Sequence, residues 1–70
     1  MDAYTVARYT IADLYFDEDG EPLFQDGDHV LDEAVGLAVD ACVAQGLNRD
    51  ESERWAYQAA ELLLLGDSYR

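Results

Sequence analysis

The chain of 70 residues has no lysine, one cysteine, one proline, one histidine, and no apolar run longer than four residues. Each scarcity excludes something. Four arginines stand against 16 acids, leaving a formal net charge of −12. Such a surface repels nucleic acid and anionic membranes and attracts cationic surfaces. A lone Cys42 rules out an internal disulfide framework and fits a reducing compartment, so a cytoplasmic protein is expected. No apolar stretch approaches the ~20 residues of a membrane span. The opening MDAYTVARYT has no basic region followed by an apolar core, so no signal peptide is expected. There is no glycine-rich phosphate loop and no Ser-His-Asp set, so no enzyme and no cofactor are expected.

The acids that are present are concentrated. Nine of them lie between positions 13 and 33: Asp13, Asp17, Glu18, Asp19, Glu21, Asp26, Asp28, Asp32 and Glu33. No basic residue appears between Arg8 and Arg49. His29 is the one group in the run that can become cationic, and it is mostly neutral near pH 7.

One domain of this length is expected to be an α+β fold: a β-hairpin or three-stranded antiparallel sheet packed on two α-helices. The alternative is a small all-α bundle. Residues 4–11, YTVARYTI, carry the Tyr, Thr, Val and Ile that suit a strand. A rival helical reading puts Tyr4, Ala7, Ile11, Leu14 and Tyr15 on one face. Residues 14–24, LYFDEDGEPLF, read as a hairpin with strands at 14–17 and 22–25. Gly20 supplies positive φ, and Pro22 confines the returning strand to an edge.

Two helices follow, at about 29–45 and 49–65. Asp28 is read as the cap of the first, with Gly46 as the residue beyond its end. Gly36 is read as a point of close packing. The apolar girdle at 37–44 predicts cover on two sides. Asn48 and Glu51 form a capping box for the second helix. Trp55, Ala59, Leu62 and Leu63 are read as its buried stripe, with Trp55 against the first helix and the sheet. The tyrosines, Tyr4, Tyr9, Tyr15, Tyr57 and Tyr69, are read as packing residues or as part of a protein interface. Residues 67–70 are expected to fray.

Metal and nucleophile readings are thin. DEDGE at 17–21 has the flavour of a calcium loop, but setting Gly20 or Gly27 at the sixth position puts Tyr15 or Pro22 at the first. His29 with Glu33 is a helical i,i+4 pair, too little for a metal site. Cys42 falls on an apolar helical stripe, as a structural thiol would.

The acidic run admits three readings. It can be a solvated surface, or the composition of a salt-loving host. It can also imitate a nucleic-acid backbone. Outward carboxylates on a hairpin strand lie roughly 6–7 Å apart, near the ~7 Å phosphate spacing along one strand of a duplex. In size, acidity, lack of catalytic residues and the segment FDEDGEPLFQDGD, the chain resembles small phage-encoded inhibitors of the anti-CRISPR and DNA-mimic type. The resemblance implies an inhibitor that binds a basic nucleic-acid-binding protein or complex and blocks DNA or RNA access. The partner-binding residues would be the nine acids named above. The other expectation is an acidic interaction module, antitoxin-like or adaptor-like, forming a homodimer through the first long helix.

Overall fold

The computed structural model describes residues 1–66. Among them it forms three helices and no sheet. They are α1 (Ala3–Tyr15), α2 (Gly27–Ala44) and α3 (Arg49–Ala60), the last continued by a wider π turn, Glu61–Leu65. The α+β expectation is therefore corrected to the small all-helical bundle. The expected fraying of 67–70 lies outside the described residues.

The first correction is at residues 4–11, which are helix rather than strand. The Asp2 carboxylate accepts the Thr5 backbone N–H at 2.8 Å and starts the helix. That bond, and secondarily one from the Thr5 side chain, holds the Asp2 carboxyl below its ordinary value. Ala3, Val6, Ala7, Ile11 and Tyr15 are buried on one face, a 3.6-residue period. Thr10 is accommodated because its hydroxyl donates back to the Val6 carbonyl at 2.8 Å. Helical periodicity and a cap outweigh β-propensity, which measures fit to a sheet that the described residues do not build.

The hairpin expected at 14–24 reduces to a turn. The chain does reverse over Asp17–Glu21, and Gly20 takes φ +84°. The only strand-like pairing there is one antiparallel bridge, Phe16 with Pro22. The strands at 14–17 and 22–25 are not formed. Phe16 and Phe24 instead meet edge to face at 5.5 Å, with Tyr15 against Phe24 at 6.4 Å. This aromatic contact pins the acidic loop, residues 16–26, against the end of α1.

α2 is capped two residues earlier than expected. Asp26, not Asp28, accepts the Asp28 backbone N–H at 3.0 Å. Gly46 takes φ +89° beyond the other end, as a left-handed C-terminal residue does. Asn48 caps α3 by accepting from Glu51 at 3.0 Å.

The core is built from small side chains. Ala3 and Ala7 on α1, Ala34, Ala38 and Cys42 on α2, and Ser52, Ala56, Ala59 and Ala60 on α3 are all buried. The stripe expected on α3 is corrected accordingly. Trp55 is 40 % exposed and touches Tyr4 only edge on, at 6.0 Å. Leu62 is exposed; Ala59 is buried and Leu63 packs partly buried against the core, as expected, but Leu64 is the buried leucine of the π turn. Trp55 led the expected stripe because of its size, but helices packed through alanine leave no room for an indole between them.

Two glycines separate packing from propensity. A Cβ on Gly27 would overlap the Leu64 carbonyl oxygen, so the π turn is seated directly on the start of α2. A Cβ on Gly36 would meet nothing within 4 Å, which corrects the close-packing reading. Gly36→Ala is expected to stabilise the protein by about 1 kcal/mol through helix propensity. Gly27→Ala is expected to cost about 1–3 kcal/mol, because backbone must move to admit it. Trp55→Ala should cost about 0.5–1.5 kcal/mol, the scale of an exposed aromatic contact. Thermal melts compare the three. A Gly27→Ala protein as stable as the parent would show that the π turn does not rest there.

Candidate functional site

The nine acids are all exposed, and the fold brings them onto one excursion of the chain. Asp13 is in the last turn of α1. Asp17, Glu18, Asp19 and Glu21 form the turn. Asp26 caps α2, and Asp28, Asp32 and Glu33 follow along its first half. The carboxylates divide into two groups by what they touch.

Three have internal duties. Asp17 Oδ1 accepts the backbone N–H groups of Asp19 at 2.9 Å and Glu21 at 2.8 Å. It holds the turn, together with the Asp17 N–H to Glu21 carbonyl bond at 2.9 Å. Asp26 is the helix cap. Glu33 Oε1 accepts the Tyr15 hydroxyl at 2.7 Å, tying the end of α1 to α2. The other six, Asp13, Glu18, Asp19, Glu21, Asp28 and Asp32, have no hydrogen-bond or ion-pair partner among the described residues.

The helix dipoles sort the same acids differently. Asp26 and Asp28 lie at the positive end of α2, where negative charge is favourable. Asp13 and Asp17 lie at the negative end of α1, and no basic residue stands in that helix's last turn. Carboxylates there oppose the dipole by about 0.3–1 kcal/mol each when exposed. Helix stability does not explain their position.

One part of the spacing argument is overturned. Regular carboxylate steps along a strand need a strand, and none is formed. Asp28 and Asp32 remain a pair at helical i,i+4 spacing, with Cβ atoms ~5–6 Å apart. The rest of the charge is spread over an irregular loop.

The metal and nucleophile candidates are placed apart. His29 and Glu33 are both exposed on α2, and Glu33 is engaged by Tyr15. Among the described residues no three His, Cys, Asp or Glu side chains converge as metal ligands would. Cys42 is fully buried, and its thiol donates to the Ala3 carbonyl at 3.5 Å. Burial raises its pKa, partly offset by a hydrogen bond with Ser52. A buried thiol with a raised pKa is a poor nucleophile.

A second surface was not foreseen from the sequence. A groove between α2 and α3 has Val35, Gly36 and Val39 as its apolar lining, with Tyr57, two arginines (Arg49 and Arg54) and four acids (Asp32, Asp40, Asp50 and Glu53) along it. The signal available in the sequence was Gly36 itself, a gap in the outward face of a long helix.

The chain matches no protein-family model, no curated protein and no solved structure. No helix among the described residues is long and apolar enough to cross a membrane.

Tyr15 makes the joint beside the acidic loop testable by pH. Burial, then the bond to Glu33, raises its phenol from the ordinary 10.0 to about 12. The folded state therefore holds a proton that the unfolded chain releases above pH 10.0. The stability that this joint contributes is fully present below pH 10.0 and is lost as pH rises toward about 12. Ultraviolet titration of phenolate should show a late step from Tyr15, near pH 12. Tyr15→Phe should remove that late step and lower stability near neutrality by about 0.5–1.5 kcal/mol. A late step that survives in Tyr15→Phe would assign it to another tyrosine.

Proposed function

We propose that this protein is a non-enzymatic inhibitor that acts by charge. Its acidic loop and the adjoining ends of α1 and α2 occupy a basic surface on a nucleic-acid-binding protein or complex and exclude DNA or RNA. The reading belongs to the anti-CRISPR and DNA-mimic type, and its place of action is the cytoplasm. The observation that carries it is the group of six exposed carboxylates with no hydrogen-bond or ion-pair partner among the described residues, one of which, Asp13, stands at the unfavourable end of α1. An acid retained against a helix dipole, beside five more with no partner among the described residues, favours an external one. The basic surface need not read regular spacing, because counterion release depends on the number of charges neutralised.

A second reading is favoured by a different observation. Leu37 is 41 % exposed on α2, so the expected girdle at 37–44 is not fully covered within one chain. A homodimer joined along α2 would cover it. Light scattering at low and high protein concentration tests this, and a monomer throughout would leave the dimer without support.

The charge test uses Glu18, Asp19 and Glu21, which the turn does not need. Reversing all three to Lys should leave the melting temperature within a few degrees. It should weaken binding to the basic target by roughly 1–3 kcal/mol for each close charge contact. Wild-type binding should compete with nucleic acid and weaken with salt, by up to about one unit of log–log slope per contact. Reversing Asp50 and Glu53 on α3 should matter much less. Silent loop reversals with damaging α3 reversals would move the site to α3. Asp17→Lys is a separate variant, expected to disorder the turn.

The salt-loving reading is tested on the free protein. If acidity serves only a saline host, cooperative folding should appear only near molar salt, where the Debye length falls to ~3 Å. An inhibitor of the proposed kind folds in dilute buffer. Circular dichroism at the two salt concentrations decides between them.

A further inference from the structure

We propose that the outward face of α1, centred on Tyr9, is the apolar half of the partner-binding surface. The inference rests on the charge-based reading above and adds to it the chemistry of the partner. That partner is a basic protein surface with an aromatic or large apolar side chain set among its arginines and lysines.

Tyr9 is 68 % exposed. It stands on the side of α1 opposite the buried Ala3, Ala7, Ile11 and Tyr15. Positions 9, 12, 13 and 16 recur at i, i+3, i+4 and i+7 and so share one helical face. Tyr9, Ala12 and Phe16 line one hollow with Asp13, Asp17 and Glu18. Tyr9 also borders a second hollow with Thr10, Asp13 and Leu14, and Leu14 is 48 % exposed. The ring is thus a post between these two concavities, both of which have carboxylates on their walls, and on its other side Tyr9 and Ala12 border a third hollow with Thr5, Arg8 and Leu63. Ala12 provides a flat floor beside it.

The occupant follows from charge complementarity. Asp13, Asp17 and Glu18 surround the apolar floor, and no basic side chain lines either hollow. A bare apolar partner would leave these acids desolvated and unpaired. A purely basic partner would satisfy them but leave Tyr9, Ala12 and Leu14 in water. A basic surface with a central apolar anchor satisfies both, which is the usual anatomy of an interface: aromatic anchor inside, polar rim outside. Arg8 lines the third hollow, on the side of Tyr9 away from Asp13, so the acidic side of the ring is the one that suits a basic partner. The Arg8 guanidinium lies 5.7 Å from the centre of the Tyr4 ring, away from the acidic loop.

Two labelled probe peptides test the inference. One is a short Lys-Gly peptide with a single central Trp; the other has Ser in place of that Trp. Fluorescence anisotropy at low salt should show the Trp peptide binding about three- to tenfold tighter, the scale of one aromatic pair. Tyr9→Ala should erase that ratio, Tyr9→Phe should keep it, and Tyr57→Ala in the α2–α3 groove should keep it. Glu18, Asp19 and Glu21 reversed to Lys should weaken both peptides together and leave the ratio. Tyr9 is on the outer face, so a melt of Tyr9→Ala should match that of the parent. Equal binding of the two peptides would overturn the inference and leave the charge reading standing. So would a ratio that survives Tyr9→Ala, or one erased by Tyr57→Ala. Failure of both peptides to bind the wild type would count against the charge reading itself, and the inference would fall with it.

Discussion

The structure depends on the junction where Cys42, Ala3 and Ser52 meet. Each of the three helices sends one small buried side chain or backbone group to this point. The Cys42 thiol on α2 donates to the Ala3 carbonyl at the start of α1. Ser52 on α3 hydrogen-bonds the Asn48 carbonyl at 2.6 Å while lying against Cys42. The Ala3 carbonyl is in the first turn of α1, and the thiol gives it a second, buried contact. Small groups at this junction let helix axes approach closely, and the rest of the packing follows from that approach. Ala3–Ala7–Ile11, Ala34–Ala38–Cys42 and Ser52–Ala56–Ala60–Leu64 run along the three helices at four-residue intervals, all buried. Interhelical distance depends on the side chains at the contact, and alanine sets it low.

That geometry has a consequence for the surface. A core rich in alanine has room for few large side chains: Ile11, Tyr15 and Leu64 are inside, while Tyr9, Leu14, Leu37, Trp55, Tyr57 and Leu62 remain outside. Single exposed apolar groups are ordinary on any protein. Here they fall in particular places, Tyr9 and Leu14 beside the acidic loop and Tyr57 along the α2–α3 groove. A small domain buries a limited fraction of its surface in any case. Giving up large side chains from the core lowers that further, so caps and tight backbone contacts must contribute more of the stability. Asp2, Asp26 and Asn48 each cap a helix, and Gly27 admits the Leu64 carbonyl.

The legible parts of the sequence were those with local chemistry. Asn48 three residues before Glu51 marked the start of α3, and Gly46 marked the end of α2. Gly20 located the reversal in the acidic loop. All three rest on bonds or dihedrals confined to a few residues. The first segment misled because Tyr4, Thr5, Val6 and Ile11 suit a sheet, while the deciding residue, Asp2, lies outside the segment and acts through one hydrogen bond. The stripe on α3 misled for a different reason. Hydrophobicity ranks Trp55 above Ala56, but close helix packing ranks them the other way. The four-residue spacing of small residues was present in all three helices, and it carries the fold more directly than the large apolar ones do.

The candidate site was legible as composition and not as geometry. The nine acids could be counted, but which of them were free could not be read without the turn. Asp17 looks like its neighbours in the sequence, yet its carboxylate closes the loop by accepting two backbone N–H groups. Asp26 and Glu33 are likewise engaged, one in a cap and one with Tyr15. The structural acids thus hold the free ones in position: Asp17 presents Glu18, Asp19 and Glu21, and Asp26 orients the helix that carries Asp28 and Asp32. Charge that is both unpaired and fixed in place loses less side-chain and loop entropy on meeting a partner than charge on a disordered tail would.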